Sequence, residues 1–357
     1  MSAVAWLDGM SPWPSGGFGL ERMRALLAAL GDPQLAYPAI HVVGTNGKST
    51  ATVTIEQLLI SEGLAVGSTL SPHVVGWSER IRVNGAEADF ERAVARVRSA
   101  AETVGATQFE TVTAAALAEF AAAEVDVAVV EAGLGGRHDA TNVLSTRVVL
   151  LTNVGLDHTD VLGDTLEAIA TEKLAVAPPD AIVVLPDDTY AALVPGREIV
   201  HGGAREAAEA FVGHEIAASP AVSLPGRLER RPGEVRDGAH NPDGARHLVE
   251  QLAGDDLTIV ASILADKDVD AMLRILRRVG PRFVATSSSS ARALPAAELA
   301  EIARRHFDHV EIVDDPVAAV RRAHELGEPV LVTGSLYLLG DLEQPDAQEE
   351  RRAPWPG

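Results

Sequence analysis

The segment Gly44-Thr-Asn-Gly-Lys-Ser-Thr50 combines the residue types from which a phosphate cradle is built. Glycines let the backbone approach an anion, the N–H groups of a following helix point at it, and a lysine adds a compact positive charge. The spacing is one form of the Walker loop, with Gly44 nearer the lysine than in GxxxxGK[ST]. Ser49 or Thr50 would cap the helix or face a phosphate-bound Mg²⁺, and an ordinary glycine turn into a helix is the plain alternative. The lysine is informative in itself. Of 30 cationic residues only Lys48, Lys173 and Lys267 are lysine, the rest being arginine. A guanidinium replaces neither a compact ammonium nor, once deprotonated, a nucleophilic amine.

Glu131 closes an apolar run and is followed by Gly133, Gly135, Gly136, Arg137 and Asp139, so a carboxylate and an anion-tolerant loop reach one sheet edge. In open α/β sheets ligands bind at the carboxyl ends of the strands. Asp157-His158-Thr159 closes the next strand in the same way, and Ser71-Pro-His73 offers a hydroxyl from a third loop. Taken singly, Glu131 reads equally well as a solvated loop carboxylate, a lone histidine such as His158 is more often a structural hydrogen-bonder than a ligand, and Ser-Pro is a common turn opener. Converging on the phosphate loop, they would supply ligands for a nucleotide-bound Mg²⁺. Lys173 lies in a helical pattern where a solvated lysine is the ordinary expectation, weakened by its rarity. In the second half, Pro225-Gly-Arg227 and Asp237-Gly-Ala-His240-Asn241 bring an arginine and an Asp/His/Asn cluster, although Asn241 before Pro242 is also a helix-cap signature. Lys267, in Ala265-Asp-Lys-Asp268, follows a strand and is open to a turn reading.

The elements that must position these residues alternate from end to end. Strands are predicted at Ala39 to Val43, Leu64 to Thr69, Ile81 to Val83, Val125 to Val130, Val148 to Thr152 and Ala181 to Leu185. Helices are predicted at Lys48 to Ser61, Asp89 to Val104, Thr111 to Ala123 and Thr165 to Ala177. After Pro225 the alternation restarts, with strands at Leu257 to Ala261, Arg282 to Thr286, Val310 to Val313 and Val330 to Thr333, which reads as a second α/β sheet. The Pro- and Gly-containing stretch Ser219 to Gly233 is the expected join, giving domains at 1–218 and 219–343 and a frayed tail at 344–357.

With 357 residues, 46% of them hydrophobic, the chain can bury a sizeable core, and its net charge of −21 keeps it soluble. No cysteine is present, which excludes disulfide frameworks, thiolate metal sites and cysteine nucleophiles. A pI near 4.9 argues against binding a nucleic-acid backbone. No window reaches 18 uninterrupted apolar residues and no signal-peptide pattern opens the chain, so a cytoplasmic protein without a membrane partner is expected.

Taken in order, these segments resemble the folylpolyglutamate synthase and dihydrofolate synthase family, a branch of the Mur-type amide ligases. The likeness runs through Gly19-Leu-Glu-Arg22, the phosphate loop, Ser71-Pro-His73, Glu79 to Gly85, Phe109-Glu110, Glu131 to Asn142, Leu156 to Gly163 and Glu172-Lys173. It continues through Pro225 to Glu229, Asp237 to Pro242, Leu264 to Asp268 and Thr333 to Tyr337. The resemblance implies an α/β chain in which a three-layer P-loop domain precedes a Rossmann-like C-terminal domain, with ATP and Mg²⁺ in the cleft between them. It implies that Asn46, Gly47, Lys48 and Ser49 hold the ATP phosphates, that Ser71, Glu131 and His158 are Mg²⁺ ligands, and that Lys173 is the lysine that becomes carbamylated. It further implies that Lys48, His158 and Lys173 form the catalytic set, and that Arg227 and Asp237 reach the nucleotide with His240 in support. Gly19, Leu20, Glu21, Arg22, Phe109, Glu110, His138, Asp139 and Ala140 match the segments that hold the pterin-bearing substrate, Phe109 as a stacking face.

The implied reaction is ATP-dependent addition of L-glutamate to dihydropteroate, reduced folates or both, through an acyl phosphate, by a monomer. The alternatives are a Mur-type ligase for another amino acid and a nucleotide-binding paralogue without catalysis. The chain departs from the family in reading GTNGKST for GTNGKGS, in His138 for leucine, and in a shorter segment from Lys173 to Arg227. An asparagine expected in that segment is missing, with Arg205 or Glu206 in its place.

Overall fold

The computed structural model describes residues 1–14, 17–252 and 256–343, and the tail expected at 344–357 lies outside them. The chain divides into two compact units, one ending at Val222 and the next beginning at Ser223. The strands of the first unit are β1 (Ala39–Val43), β2 (Val66–Thr69), β3 (Ile81–Val83), β4 (Ala86–Glu87), β5 (Val127–Glu131), β6 (Thr146–Leu151), β7 (Ile182–Leu185) and β8 (Glu198–His201). They form one eight-stranded sheet in the order β4-β3-β2-β5-β1-β6-β7-β8. All neighbours from β2 to β8 are parallel, while β3 and β4 add an antiparallel edge.

Central parallel strands are covered on both faces, which is why β1 and β5 read as nearly unbroken apolar runs and are buried along their whole length. Ile40 and Val42 pack with Ile55, Leu58 and Leu59 of helix Lys48–Ser61 on one face. Ala39 points to the other, among Met23, Leu26, Phe90 and Phe120 of the helices Glu21–Ala29, Phe90–Val104 and Gln108–Ala122. The result is the three-layer arrangement expected of the first domain.

In the second unit β9 (Glu229–Arg231), β10 (Glu234–Arg236), β11 (Thr258–Ala261), β12 (Arg282–Ala285), β13 (His309–Ile312) and β14 (Val330–Thr333) form a sheet in the order β13-β12-β11-β14-β10-β9. Only β9 runs antiparallel to its neighbour. Among the described residues no helix is long and apolar enough to cross a membrane.

Some elements differ from their sequence expectation. Helix Gln108–Ala122 starts three residues before the expected Thr111, because Thr107 and Glu110 form a capping box around its first turn. Strand β8 and helix Ala204–Val212 were not expected at all; their apolar patterns are short and sit among glycine and charge.

One buried ion pair ties the antiparallel edge to the helix after the phosphate loop. Glu56, fully buried, accepts from Ser68 Oγ at 2.7 Å and from Arg82 Nε and Nη2 at 3.2 Å. Removing one partner of such a pair leaves an uncompensated charge in the interior. Arg82→Met should therefore cost about 3–5 kcal/mol in denaturant unfolding, and adding Glu56→Gln should recover part of the loss. A single-variant loss below about 1 kcal/mol would show that the pair is not buried as described.

Candidate active site

The phosphate loop leaves β1 through a glycine that nothing else can replace. Gly44 has φ +150°, and a Cβ there would lie 1.9 Å from Thr152 Oγ1. The loop rests on the residues that follow β6, its neighbour in the sheet. Thr45 N donates to Asn153 O at 3.0 Å, Asn46 N to Asn153 Oδ1 at 2.8 Å, and Thr152 Oγ1 to Asn46 O at 2.7 Å. Gly47, at φ +80°, then opens helix Lys48–Ser61. Lys48 folds back over the loop, its Nζ donating to the carbonyls of Gly44 at 3.1 Å and Thr45 at 3.2 Å. Ser49 is buried and Thr50 is exposed.

Three segments meet at Glu131, the last residue of β5. Its carboxylate is 2% exposed and accepts from Ser49 Oγ at 3.1 Å and from Ser71 N at 3.0 Å. A small cavity opens beside it, lined by Leu70, Ser71 and Arg80 and by Phe109, Val112 and Ala116 on one helix face. His158 stands in the loop after β6 in the left-handed conformation, at the start of the short helix Thr159–Leu162, with its Nε2 3.9 Å from Asp157 Oδ1. Among the described residues no three His, Cys, Asp or Glu side chains gather into a ready-made metal cage. Mg²⁺ is ordinarily held by one or two carboxylates together with substrate phosphates and water, so a buried carboxylate beside a hydroxyl and a phosphate cradle is a fitting donor set.

Lys173 is not the solvated lysine its helix suggested. It ends helix Leu166–Leu174 only 4% exposed, and its Nζ donates to Gly44 O at 2.9 Å. Burial pulls its amine down to about 7, and the neighbouring charge of Lys48 pushes the same way. The glycine loop after β5 lies directly on this helix end. A Cβ on Gly136 would come within 2.6 Å of the carbonyl oxygens of Glu172 and Lys173, and Arg137 N donates to Glu172 O at 3.1 Å.

The residues expected to hold a pterin-bearing substrate divide into groups. Phe109 lines the cavity beside Glu131, and its ring would be 2.5 Å from a Cβ on Gly133. His138 and Glu21 are exposed, Gly19 is half-buried, and Leu20 and Ala140 are buried. Glu110 and Arg22 are engaged with each other at 2.7 Å, and Glu110 also accepts from Thr107 N at 2.8 Å and Thr107 Oγ1 at 2.9 Å. Glu110 thus closes the start of its own helix, and its pairing with Arg22 ties the helix Glu21–Ala29 to it. Asp139 is likewise turned inward, accepting from Leu134 N at 2.7 Å and Thr141 N at 2.9 Å.

The second unit gathers its own candidates. Asp237, just after β10, accepts from Leu228 N at 2.7 Å and Ala239 N at 2.8 Å, while Gly238 N donates to Gly226 O at 2.9 Å. Arg227 thus shares one small cluster with Asp237, and His240 Nδ1 lies 2.8 Å from Gly238 O. Asn241 caps helix Pro242–Gln251 through Gly244 N at 2.7 Å.

Comparison with known proteins bears directly on this arrangement. The family model described as Mur ligase middle domain matches residues 42–210, and that described as Mur ligase, glutamate ligase domain matches 226–336. A dihydrofolate synthase/folylpolyglutamate synthase of Mycobacterium tuberculosis is 33% identical, covering 81% of this chain and 78% of its own. This chain belongs to that family. Its counterpart in Bacillus subtilis is 30% identical over 407 residues, with 91% of this chain and 94% of the relative covered. That alignment is longer than the 357-residue chain itself, so the relative carries segments missing here. The structure of Escherichia coli FolC in complex with DHPP and ADP superposes with a TM-score of 0.88 at 26% identity, covering 98% of this chain and 99% of that one. A Yersinia pestis family member complexed with AMPPNP and Mn ion gives 0.83 at 28% identity, covering 97% and 98%. Both likenesses extend over nearly the whole of each chain compared.

The contact between the glycine loop and the Lys173 helix can be tested alone. Gly136→Ala must push the loop off the helix end, and a displacement of about 1 Å at a reacting centre costs on the order of a hundredfold in rate. Turnover should fall on that scale while the melting temperature moves by only a few degrees. A variant with wild-type turnover would mean that the contact does not set the site.

Proposed function

We propose that the chain joins L-glutamate to a pteridine-bearing carboxylic acid, dihydropteroate or a reduced folate, at the expense of ATP. The observation that carries this reading is the meeting of the phosphate loop, the buried Glu131 carboxylate and the buried Lys173 amine at one sheet edge of a family member. An amide does not form from a carboxylate and an amine spontaneously in water. The acid's carboxylate attacks the γ-phosphorus of ATP, ADP leaves, and an acyl phosphate results. The amine of glutamate then attacks the acyl carbon, phosphate departs and a proton is lost from nitrogen.

In this scheme Asn46, Gly47 and Ser49 present the cradle, and Lys48 with the helix N-terminus disperses charge on the transferred phosphoryl group. Glu131 with Ser49, Ser71 and His158 would hold Mg²⁺, which when bound neutralises the phosphate oxygens. Arg227, Asp237 and His240 are assigned to the nucleotide. Phe109 offers its ring to the pteridine, and the loop carrying His138, Asp139 and Ala140 borders the acid. The Lys173 amine, neutral for a large fraction of molecules at pH 7, is suited to add to CO₂, giving a carbamate anion and releasing one proton. That anion would also relieve the crowding of two cations at Gly44. A cytoplasmic monomer whose partners are small molecules completes the reading.

Phosphate release in the presence of ATP, Mg²⁺ and glutamate, with dihydropteroate compared against tetrahydrofolate, tests the reaction. Release with neither acid, despite tight ATP binding, would favour a non-catalytic paralogue. Lys48→Ala should lose turnover at saturating ATP with the fold intact, and Glu131→Gln should shift the Mg²⁺ titration to higher concentration. Lys173→Arg should be inactive although it keeps the charge, whereas Lys173→Ala should regain part of its turnover when acetate is added. Full activity in the arginine variant would rule out the carbamate.

A further inference from the structure

A buried hydrogen-bonded chain starts three residues upstream of the phosphate loop and ends in the glycine loop. His41, in the middle of β1, is fully buried, and its Nε2 lies 2.8 Å from Thr141 Oγ1. Thr141 Oγ1 lies 2.5 Å from Asp139 Oδ1, and the two oxygens of Asp139 receive Thr141 N and Leu134 N at 2.9 and 2.7 Å. A hydroxyl has one hydrogen, and an ionised carboxylate only accepts. Burial raises the pKa of Asp139, while the N–H groups of Leu134 and Thr141 and the Thr141 hydroxyl favour its ionised form; with Asp139 ionised the Thr141 hydrogen points to it, and the imidazole donates from Nε2. That leaves Nδ1 as a bare acceptor, and it is buried with no partner.

An orphaned ring nitrogen is an odd thing to keep in a central strand whose other members are Ala39, Ile40, Val42 and Val43. An aliphatic side chain would fill the position without an unsatisfied atom, so packing alone does not account for the histidine. Burial also pulls its pKa down to about 3, so the ring is neutral and its donor constant across ordinary pH. What the donor fixes is a loop. Asp139 bonds to Leu134 at one end of the glycine loop and to Thr141 just beyond its other end. The same loop rests on Glu172 and Lys173 through Gly136 and Arg137.

We infer that His41 is a positioning residue: through Thr141 and Asp139 it sets the glycine loop against the phosphate cradle that the same strand carries. The inference rests on the proposed assignment of that loop to the acid substrate. One strand thereby fixes both the nucleotide loop, from Gly44, and the loop that borders the acceptor carboxylate.

Three variants test this. His41→Leu removes the donor at similar volume, Thr141→Val removes the relay hydroxyl, and His41→Gln keeps an N–H able to reach Thr141 Oγ1. For each, amide hydrogen exchange at Leu134 and Thr141 is measured on the free protein, and KM for the pteridine acid and for ATP is measured separately. In the leucine and valine variants exchange at both amides should rise, and KM for the acid should rise about tenfold, the scale of one lost hydrogen bond. KM for ATP should stay within about twofold, the double variant should be no worse than either single one, and His41→Gln should recover most of the effect. Unchanged exchange in Thr141→Val, or equal losses in both KM values, would overturn the inference. Faster exchange with an unchanged acid KM would overturn it as well. If the wild type turned over no pteridine acid the proposed function would fail by itself, while the exchange data would still report on the relay.

Discussion

Two ammonium groups reach for one carbonyl oxygen. Lys48 Nζ and Lys173 Nζ both donate to Gly44 O, at 3.1 and 2.9 Å, and the rest of the site is organised around the problem this creates. Like charges at such range disfavour one another, most of all where burial has removed water. Lys173 is enclosed, and burial, with the charge of Lys48 beside it, weakens the hold of its amine on a proton. The nearby carboxylates of Asp139, Asp157 and Glu172 pull the other way without cancelling the effect of burial.

Close approach is what makes this possible, and glycines permit it. The loop after β1 touches Thr152 at Gly44, and the loop after β5 touches the Lys173 helix at Gly136. Each contact is with a neighbouring strand's loop or the helix beyond it, so three consecutive strand ends are locked into one surface. Glu131 completes that surface by accepting from both the phosphate loop and the Ser71 segment. The parallel sheet supplies this economy, because adjacent parallel strands deliver their C-terminal loops to the same edge.

Much of this was legible from the residues. The glycine-lysine segment after an apolar run was read as a loop between a strand and a helix, as it is, and unbroken apolar runs identified the central strands. The burial of Lys173 was not legible, because its helix alternates small and charged residues with no strong apolar stripe, and the rarity of lysine was the only hint. The capping role of Glu110 was passed over, although Thr followed three residues later by Glu is itself a capping signature. His41 was passed over for the opposite reason: it sits in an apolar strand, where a polar residue is easily read as an interruption. The signal was there in its chemistry, since a buried imidazole needs a partner and a partner implies a purpose.

The shortened middle segment shows how a chain can lose length without losing the scaffold. Strand β8 still pairs with β7, and helix Ala204–Val212 still buries Ala207 and Ala208 against the helix Lys48–Ser61 side of the sheet. What stands where the family's asparagine is expected has other work. Arg205 donates to Ile216 O at 2.6 Å and to Ala218 O at 2.7 Å, tying down the strand of chain that leads out of the first unit. Glu206 accepts from Gly203 N at 2.7 Å and so closes the start of its own helix. Both side chains are engaged within their own segment. The segment is thereby anchored at both its ends by side chains of one helix, which is how a shorter connection still delivers β8 to the sheet edge.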